Sequence, residues 1–411
     1  MNETLFERVI NKHLSKNVFN HNKIFKIQKS GLNNLSETKF NDVFNTNYEI
    51  FDDKFIKKSI DKKRIDNLNF NYLKANYIFI INGIFCDKVS SIFNNNTLNI
   101  QNVNNIIYNK YYNKSYKDDF ASLNIAINTN TLLIKINSSY NNKIPLVIYN
   151  IFDNNADKNN IFSPRKILDI DINTKIDIVE IFDSYDHVSM FINDLTFIEC
   201  KEKSNISYSR IYSDIKNSFS MNNIFIRQMD DSVISTNMIE LNNKFLYNKI
   251  TFELLGDNCN NEINGLYIAS IENTYINNYV NVNHLKPNSN SNQLYKGVLN
   301  NSSNTIFTGK IKVFKDAIKT KAYQSNSNII LGDNNHVYIK PILEIYADDV
   351  KCSHGATSSY LDESLLFYLN SRCIDNQKSI QLLILAHIDS MVDKLHKQFS
   401  NTIMEKIKEY F

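Results

Sequence analysis

The 411-residue chain has eight glycines, four prolines and no tryptophan. Gly and Pro together make up about 3% of it, where roughly 12% would be ordinary usage. The glycines, at positions 31, 83, 256, 265, 297, 309, 332 and 355, never fall at the spacings of a dinucleotide fingerprint or a P-loop. ATP binding by a Walker motif is thereby excluded. Cys86, Cys200, Cys259, Cys352 and Cys373 are odd in number, lie far apart and form no C-x-x-C, so neither a disulfide framework nor a self-contained zinc site is visible. No stretch reaches the ~18 uninterrupted apolar residues of a membrane span. The opening MNETLFERVINKHL carries Glu3, Glu7, Arg8 and Lys12 where a signal peptide needs an apolar run. The expectation is a cytoplasmic protein with no membrane partner. A strong excess of one charge is also missing: the net charge of +3 gives no bulk electrostatic reason to bind nucleic acid. The basic run KKSIDKKR at 57–64 is diluted by Asp61 and the flanking Asp52, Asp53 and Asp66, and reads as a solvated helix face.

What is present is Asn, Ile, Lys, Tyr and Phe, a bias we read as codon drift toward A and T, which makes surface Asn and Lys weak signals. The first ~75 residues show helical spacing in Leu5, Val9, Ile10 and Leu14, and again in Phe51, Phe55, Ile56 and Ile60. From Tyr77 to about Lys351 the chain is a succession of short β-branched and aromatic runs, among them YIFIINGIF, IPLVIYNIF and KILDIDINTKIDIVEIF. Hairpin dipeptides are scarce, with only Asn82-Gly83 and Asn264-Gly265. A parallel coil with Asn- and Ser-containing corners needs fewer glycines, but composition alone supports a β-sandwich about as well as a β-solenoid.

After Thr357 the pattern is helical again. LDESLLFYLNSR places Leu365, Leu366 and Leu369 on one face with Asp362 at the cap position. Beyond Asp375 a stripe follows through Ile380, Leu383, Ile384, His387, Ile388, Met391, Val392 and Leu395. Two short helices cannot bury their faces on each other. They either lean on the β region or wait for a partner.

Cys352 and His354 are two residues apart, so an extended strand points both to one side, where thiolate and imidazole can meet one metal. From spacing alone a packed Cys beside a capping His is the preferred reading, and Gly355 predicts a strand end there. The apolar phase of Leu343, Ile345 and Ala347 flips after Asp348-Asp349, which predicts a corner or bulge. Glu344 falls out of phase and reads as a surface or interface residue. Cys86, Cys200, Cys259, His187 and His284 read as packing or surface residues.

Residues 340–357 run KPILEIYADDVKCSHGAT, and 361–374 continue LDESLLFYLNSRCI. This stretch resembles the SufD family of iron-sulfur cluster assembly proteins, with support upstream from YKGVL at 295–299, FTGKIKV at 307–313 and KTKAYQSNSNIIL at 319–331. The sister family, SufB, shares the fold but lacks the ADDVKCSHGAT run. Cys373 departs from the family's usual Gly, and the family's Trp-containing N-terminal stretch is not found.

The resemblance implies a right-handed parallel β-helix over 77–357, between an N-terminal helical region, 1–76, and a C-terminal helical region, 358–411. It implies a non-catalytic scaffold that pairs with SufB through the β-helices. SufC, an ATPase, would dock on helices presenting Leu365, Leu366, Leu369, Leu383, His387, Met391 and Leu395. A transient iron-sulfur cluster would form at the SufB interface, with His354 favoured over Cys352 as a ligand. Two protein donors fall short of the usual four or so, so the partner must complete the set. The resemblance leaves room for a homodimer of the isolated chain and decides nothing about flavin. The rival functions are a structural β-solenoid adaptor without cluster chemistry and a polysaccharide-active β-helix enzyme; the latter lacks the paired carboxylates and export signal it would need.

Overall fold

A computed structural model describes residues 49–50, 74–92, 97–104, 118–128, 130–140, 144–153, 160–184, 189–213, 215, 218–241 and 243–411. The helical spacing read in the first ~75 residues, the basic run at 57–64 and His187 lie outside these. Of that first region the described residues are a two-residue strand, β1 (Glu49–Ile50), and residues 74–75.

Early strands are short: β2 (Asn76–Ile81), β3 (Ile84–Phe85), β4 (Leu98–Asn104), β5 (Asn130–Ile136), β6 (Leu146–Phe152) and β7 (Asn160–Phe162). Seven regular coils follow, each contributing two strands. They are β8 (Arg165–Ile170) with β9 (Lys175–Ser184), β10 (Met190–Cys200) with β11 (Asn205–Tyr212), β12 (Ser218–Gln228) with β13 (Val233–Leu241), and β14 (Phe245–Leu254) with β15 (Asn260–Ala269). The last three are β16 (Tyr275–His284) with β17 (Asn290–Leu299), β18 (Asn304–Val313) with β19 (Lys321–Ile330), and β20 (His336–Ile345) with β21 (Lys351–Tyr360).

Sheet A runs β20-β18-β16-β14-β12-β10-β8-β5-β4 and sheet B runs β21-β19-β17-β15-β13-β11-β9-β6-β2-β3. Every pairing between the seven coils is parallel, and among the described residues antiparallel pairing is confined to β2–β3, β4–β5 and a single bridge between Tyr77 and Ser91. The fold is therefore a parallel β-solenoid, not a sandwich.

The corners explain how it is built with so little glycine. Where each coil passes from sheet A to sheet B, one residue sits at φ of 53° to 59°: Asn173, Lys203, Asp231, Asn258, Asn288, Lys319 and Asp349. Five of the seven are Asn or Asp, the side chains that tolerate this conformation best after glycine. Their N–H groups stitch coil to coil, as in Asn173 to the Glu202 carbonyl (3.0 Å) and Lys203 to the Asp230 carbonyl (2.9 Å). Directly after them comes a buried column of small residues, Thr174, Ser204, Ser232, Cys259, Ser289 and Thr320. Cys259 thus occupies a serine-like packing position. The phase flip at Asp348-Asp349 is the last of these corners.

Inside the coils, apolar rows enclose a polar one. Asp194, Asn222, Asn248 and Asn278 lie in register across β10, β12, β14 and β16 and are all buried. Asn222 Nδ2 donates to Asn248 Oδ1 (2.9 Å), and Asn248 and Asn278 both donate to the buried Glu240 carboxyl (2.6 and 2.9 Å). Burial raises the Glu240 pKa to about 7. At the other end of the row Asp194 meets Lys166 and Arg210, and Lys166 also meets Glu180 (2.8 Å). These four charges are at most 1% exposed and sum to zero, which is what permits their burial.

A nine-residue helix, α1 (Asp119–Ile127), interrupts the strands where only strands were expected. Asp118 caps it by accepting from the Phe120 and Ala121 N–H groups (3.0 Å each), and it covers the outer face of sheet A beside Leu195, Phe197 and Phe225. Three more helices end the chain: α2 (Glu363–Ser371), α3 (Asn376–Val392) and α4 (Lys397–Lys408). Ile384, Ile388, Met391 and Val392 of α3, with Phe399, Ile403 and Ile407 of α4, bury the outer face of sheet B at Ile239, Leu241, Leu266, Ile268 and Val298.

Replacing Asp194 by Ala leaves two cations buried without their shared carboxylate, and should cost about 3–5 kcal/mol in urea unfolding. Lys203→Ala, which removes only a surface pair with Glu202, should leave the unfolding curve where it is. Near-equal midpoints for wild type and Asp194→Ala would mean the tetrad is not a structural unit. A second expectation concerns acid. His284 is fully buried, with Nε2 2.9 Å from Ser291 Oγ, and burial holds its pKa down at about 4. A folded-state pKa below the unfolded ~6.5 contributes stability above pH 6.5 that is lost as pH falls toward 4, on the order of 3 kcal/mol. His284→Gln should flatten that part of the stability–pH curve; an unchanged curve would contradict it.

Candidate functional site: the terminal coil

The ladder hydrogen bonds of a parallel sheet are completed from both sides except at its ends. Among the described residues, β21 pairs with β19 alone and β20 with β18 alone, so the last coil presents two ten-residue edges. Pro341 lies within β20 and deprives that edge of one donor, whereas β21 contains no proline. The more complete edge is therefore the one that carries Lys-Cys-Ser-His-Gly-Ala-Thr.

Register decides which way those side chains face. Cys352 pairs with Ala322 and His354 with Gln324, and both partners are buried inward-facing residues of β19. Cys352 and His354 thus share the inner face of the last coil, as their spacing predicts. Cys352 is half-buried and packs on the interior cluster with Val337, Ile339, Leu343 and Val350, while His354 is exposed. Burial pushes the Cys352 thiol pKa up, although a backbone hydrogen bond at Ala322 works against it. Its thiolate is disfavoured at neutral pH, and the imidazole is the more available donor.

His354 lies within β21 and not at a strand end as Gly355 had suggested; the free edge is what exposes it. A Cβ built on Gly355 meets nothing within 4 Å, so no neighbour among the described residues requires a glycine there. Among the described residues no group of three or more His, Cys, Asp or Glu side chains converges as a metal site. Asp348 and Asp349 form the exposed corner preceding β21, and Glu344 faces outward, 2.6 Å from Lys310 Nζ, which holds its carboxyl below the usual range.

The helices divide the sequence-derived docking residues into two sets. Met391 and Leu395 are buried against sheet B, and Leu383 and His387 are half-buried in the same layer. His387 has a buried Nε2 with no partner; burial and the neighbouring Lys296 hold its pKa down at about 4. Lys296 Nζ also clasps the His387 carbonyl (2.6 Å) and Ser390 Oγ (3.0 Å), fixing α3 to the sheet.

In contrast, α2 has no buried residue. Leu365 is 48% exposed, Phe367 75% and Tyr368 54%, with Leu366 and Leu369 half-covered. Sequence reasoning missed Phe367 and Tyr368, because the helical face was drawn through the leucines alone. Asp362 caps α2 as expected, and Asp375 caps α3. At the end of α2, Cys373 holds φ of 63°, with its N–H on Asn370 O (3.0 Å) and the Ile374 N–H on Leu369 O (3.3 Å). This is the helix end at which glycine is favoured, and Cys adopts it here without one.

Residues 152–387 match the family model described as SUF system FeS cluster assembly, SufBD core domain. Among curated relatives, the iron-sulfur cluster assembly protein SufD of Escherichia coli is 34% identical over 169 residues, covering 41% of this chain and 40% of that one. An iron-sulfur cluster assembly SufBD family protein of Synechocystis is 28% identical over 291 residues, 67% of this chain and 62% of that one. The protein named SufD in Plasmodium falciparum is 24% identical over 268 residues, 61% of this chain and 17% of that one. The chain thus spans less than two thirds of the length of each of these relatives. Since the matched core takes in more than half of its residues, the chain belongs to the SufBD family of SUF-system iron-sulfur cluster assembly proteins, on its SufD side.

Proposed function

We propose that this chain is a non-catalytic scaffold subunit which builds iron-sulfur clusters jointly with a SufB partner, docked edge to edge on the terminal coil, while a SufC ATPase is held by the C-terminal helices. The observation that carries the reading is the position of Cys352 and His354 on β21, a ten-residue strand whose second edge is free among the described residues. A free strand edge pairs readily with another strand. The cluster is cargo in this reading. His354 offers one nitrogen donor, Cys352 a second donor once its proton is removed, and the partner supplies the rest. The body that pairs is residues 77–357, the docking part is 358–411, and the complex works in the cytoplasm.

For SufC, we assign the contact to the exposed face of α2, with Leu365, Phe367 and Tyr368, and leave Met391 and Leu395 to the packing of α3 on sheet B. ATP hydrolysis belongs to that partner, since this chain has no phosphate-cradling loop.

The test is co-expression with SufB and SufC partners and anaerobic loading with iron and sulfide. His354→Ala removes a donor and little buried apolar area. The complex should still form, with iron and sulfide content reduced several-fold, and Cys352→Ala should reduce it less. Equal content in wild type and His354→Ala would refute the ligand assignment. For the ATPase contact, Leu365→Glu combined with Phe367→Glu should abolish co-purification of SufC while the thermal midpoint stays unchanged, because neither residue is buried. Retention of SufC by that variant would move the contact elsewhere.

A further inference from the structure

The buried tetrad of Lys166, Asp194, Arg210 and Glu180 balances itself, but one coil further on a carboxyl stands without a cation. Glu240, on β13, is 1% exposed, and among the described residues no Lys, Arg or His forms an ion pair with it. A buried charge without an opposite charge is costly, and here only amides of the opposite sheet offset it. Asn248 Nδ2 on β14 donates to Oε1 (2.6 Å), and Asn278 Nδ2 on β16 donates to Oε2 (2.9 Å). Glu240 thus ties sheet B to sheet A across three successive coils.

The orientation of those amides depends on the charge. Asn248 Nδ2 also donates to Asn278 Oδ1 (3.1 Å), while Asn248 Oδ1 accepts from Asn222 Nδ2 (2.9 Å) and, at 3.5 Å, from the Tyr212 hydroxyl. This chain of donors closes only while both carboxyl oxygens accept. A proton on either oxygen sets an O–H against an N–H. Turning Asn278 alone would offer that proton an acceptor, but would set the Asn278 Nδ2 against the Asn248 Nδ2. Turning both would bring an amide oxygen against each carboxyl oxygen, and one proton can join only one such pair. The ladder therefore holds a carboxylate with every contact made, and an acid only by giving one up.

We propose that Glu240 is a proton switch inside the solenoid: as a carboxylate it ties β13 to both β14 and β16, and as an acid it releases one of the two struts. Burial, opposed only by the two amide donors, puts the changeover at about 7. The groups around it do not titrate there. Tyr212 on β11 and Tyr267 on β15 are its neighbours in the row, Tyr295 on β17 lies close by, and burial pushes all three phenols up. From sheet A it meets the amides of Asn248 and Asn278, which do not ionise. The nearest fixed charges, Arg210 and Asp194, lie in the preceding coil and are paired with each other.

The experiment follows the carboxyl and an amide together and needs neither iron nor a partner. In the full-length chain labelled with 13C at the glutamate carboxyls, spectra from pH 5 to pH 9 should contain one resonance with a midpoint near 7, where ordinary glutamates titrate at about 4.3. That resonance should vanish in Glu240→Gln. Asn278→Ala removes a donor that favours the carboxylate, and should move the midpoint upward. In the 15N-labelled chain, the Asn278 side-chain amide, assigned by its loss in Asn278→Ala, should shift with the same midpoint. It should not follow that titration in Glu240→Gln, whose single side-chain oxygen and N–H group imitate the acid. The proposal is overturned if no glutamate carboxyl of the wild type has a midpoint between pH 6 and 8, or if the one that does survives in Glu240→Gln. An Asn278 amide that stays still while Glu240 titrates would equally overturn it, because the carboxyl would then change charge without moving a strut. Should Glu240→Gln not fold, the upward shift in Asn278→Ala makes the assignment, and an unmoved midpoint in that variant counts against the strut.

Discussion

Everything in this molecule depends on in-register parallel stacking: each inward side chain lies directly over its counterpart in the coil below, about 4.8 Å away. A row must therefore consist of groups that tolerate their own company. Isoleucine and phenylalanine do so by dispersion, and asparagine by donating to the amide ahead of it, as from Asn222 to Asn248. Ionised groups do so only with opposite charges across the interior, as Asp194 has in Lys166 and Arg210. The same constraint creates a free end. A stack has a last member, and the last strand has an edge whose ladder is incomplete. Evolution can cap such an edge or use it. Here β20 carries a proline, while β21 carries a thiol, an imidazole and a glycine with open space over it.

Much of this was legible in the chain. Alternating apolar runs gave strands, scarce glycine in Asn-rich surroundings suited coil corners while composition left a sandwich equally open, and Asp362 and Asp375 announced their helices. The phase flip after Ala347 marked a corner that the backbone realises at Asp349. What stayed hidden was nonlocal. Lys166 and Asp194 are 28 positions apart and read in sequence as ordinary charged residues; only the coil period brings them together. Helix α1 was overlooked because nine residues give only about two and a half turns of periodicity, and its local sign was Asp118 at the cap.

The C-terminal stripe illustrates a different limit. Periodicity shows that a helix has an apolar face, but not what covers it. Leu365 and Met391 look alike in sequence, yet the first is exposed and the second is sealed under sheet B. Likewise the C-x-H spacing put Cys352 and His354 on one face correctly. It gave no hint that the strand bearing them is the last of its sheet.

The central claim is that the free edge of β21 is where this chain meets the partner with which it builds clusters. Hydrogen–deuterium exchange of the backbone amides, with and without a SufB partner, addresses it directly. The account predicts strong new protection across 351–360, weaker protection in β20, and none over the outer face of α3 and α4. New protection confined to the helices, with the amides of β21 exchanging as fast as in the isolated chain, would contradict it.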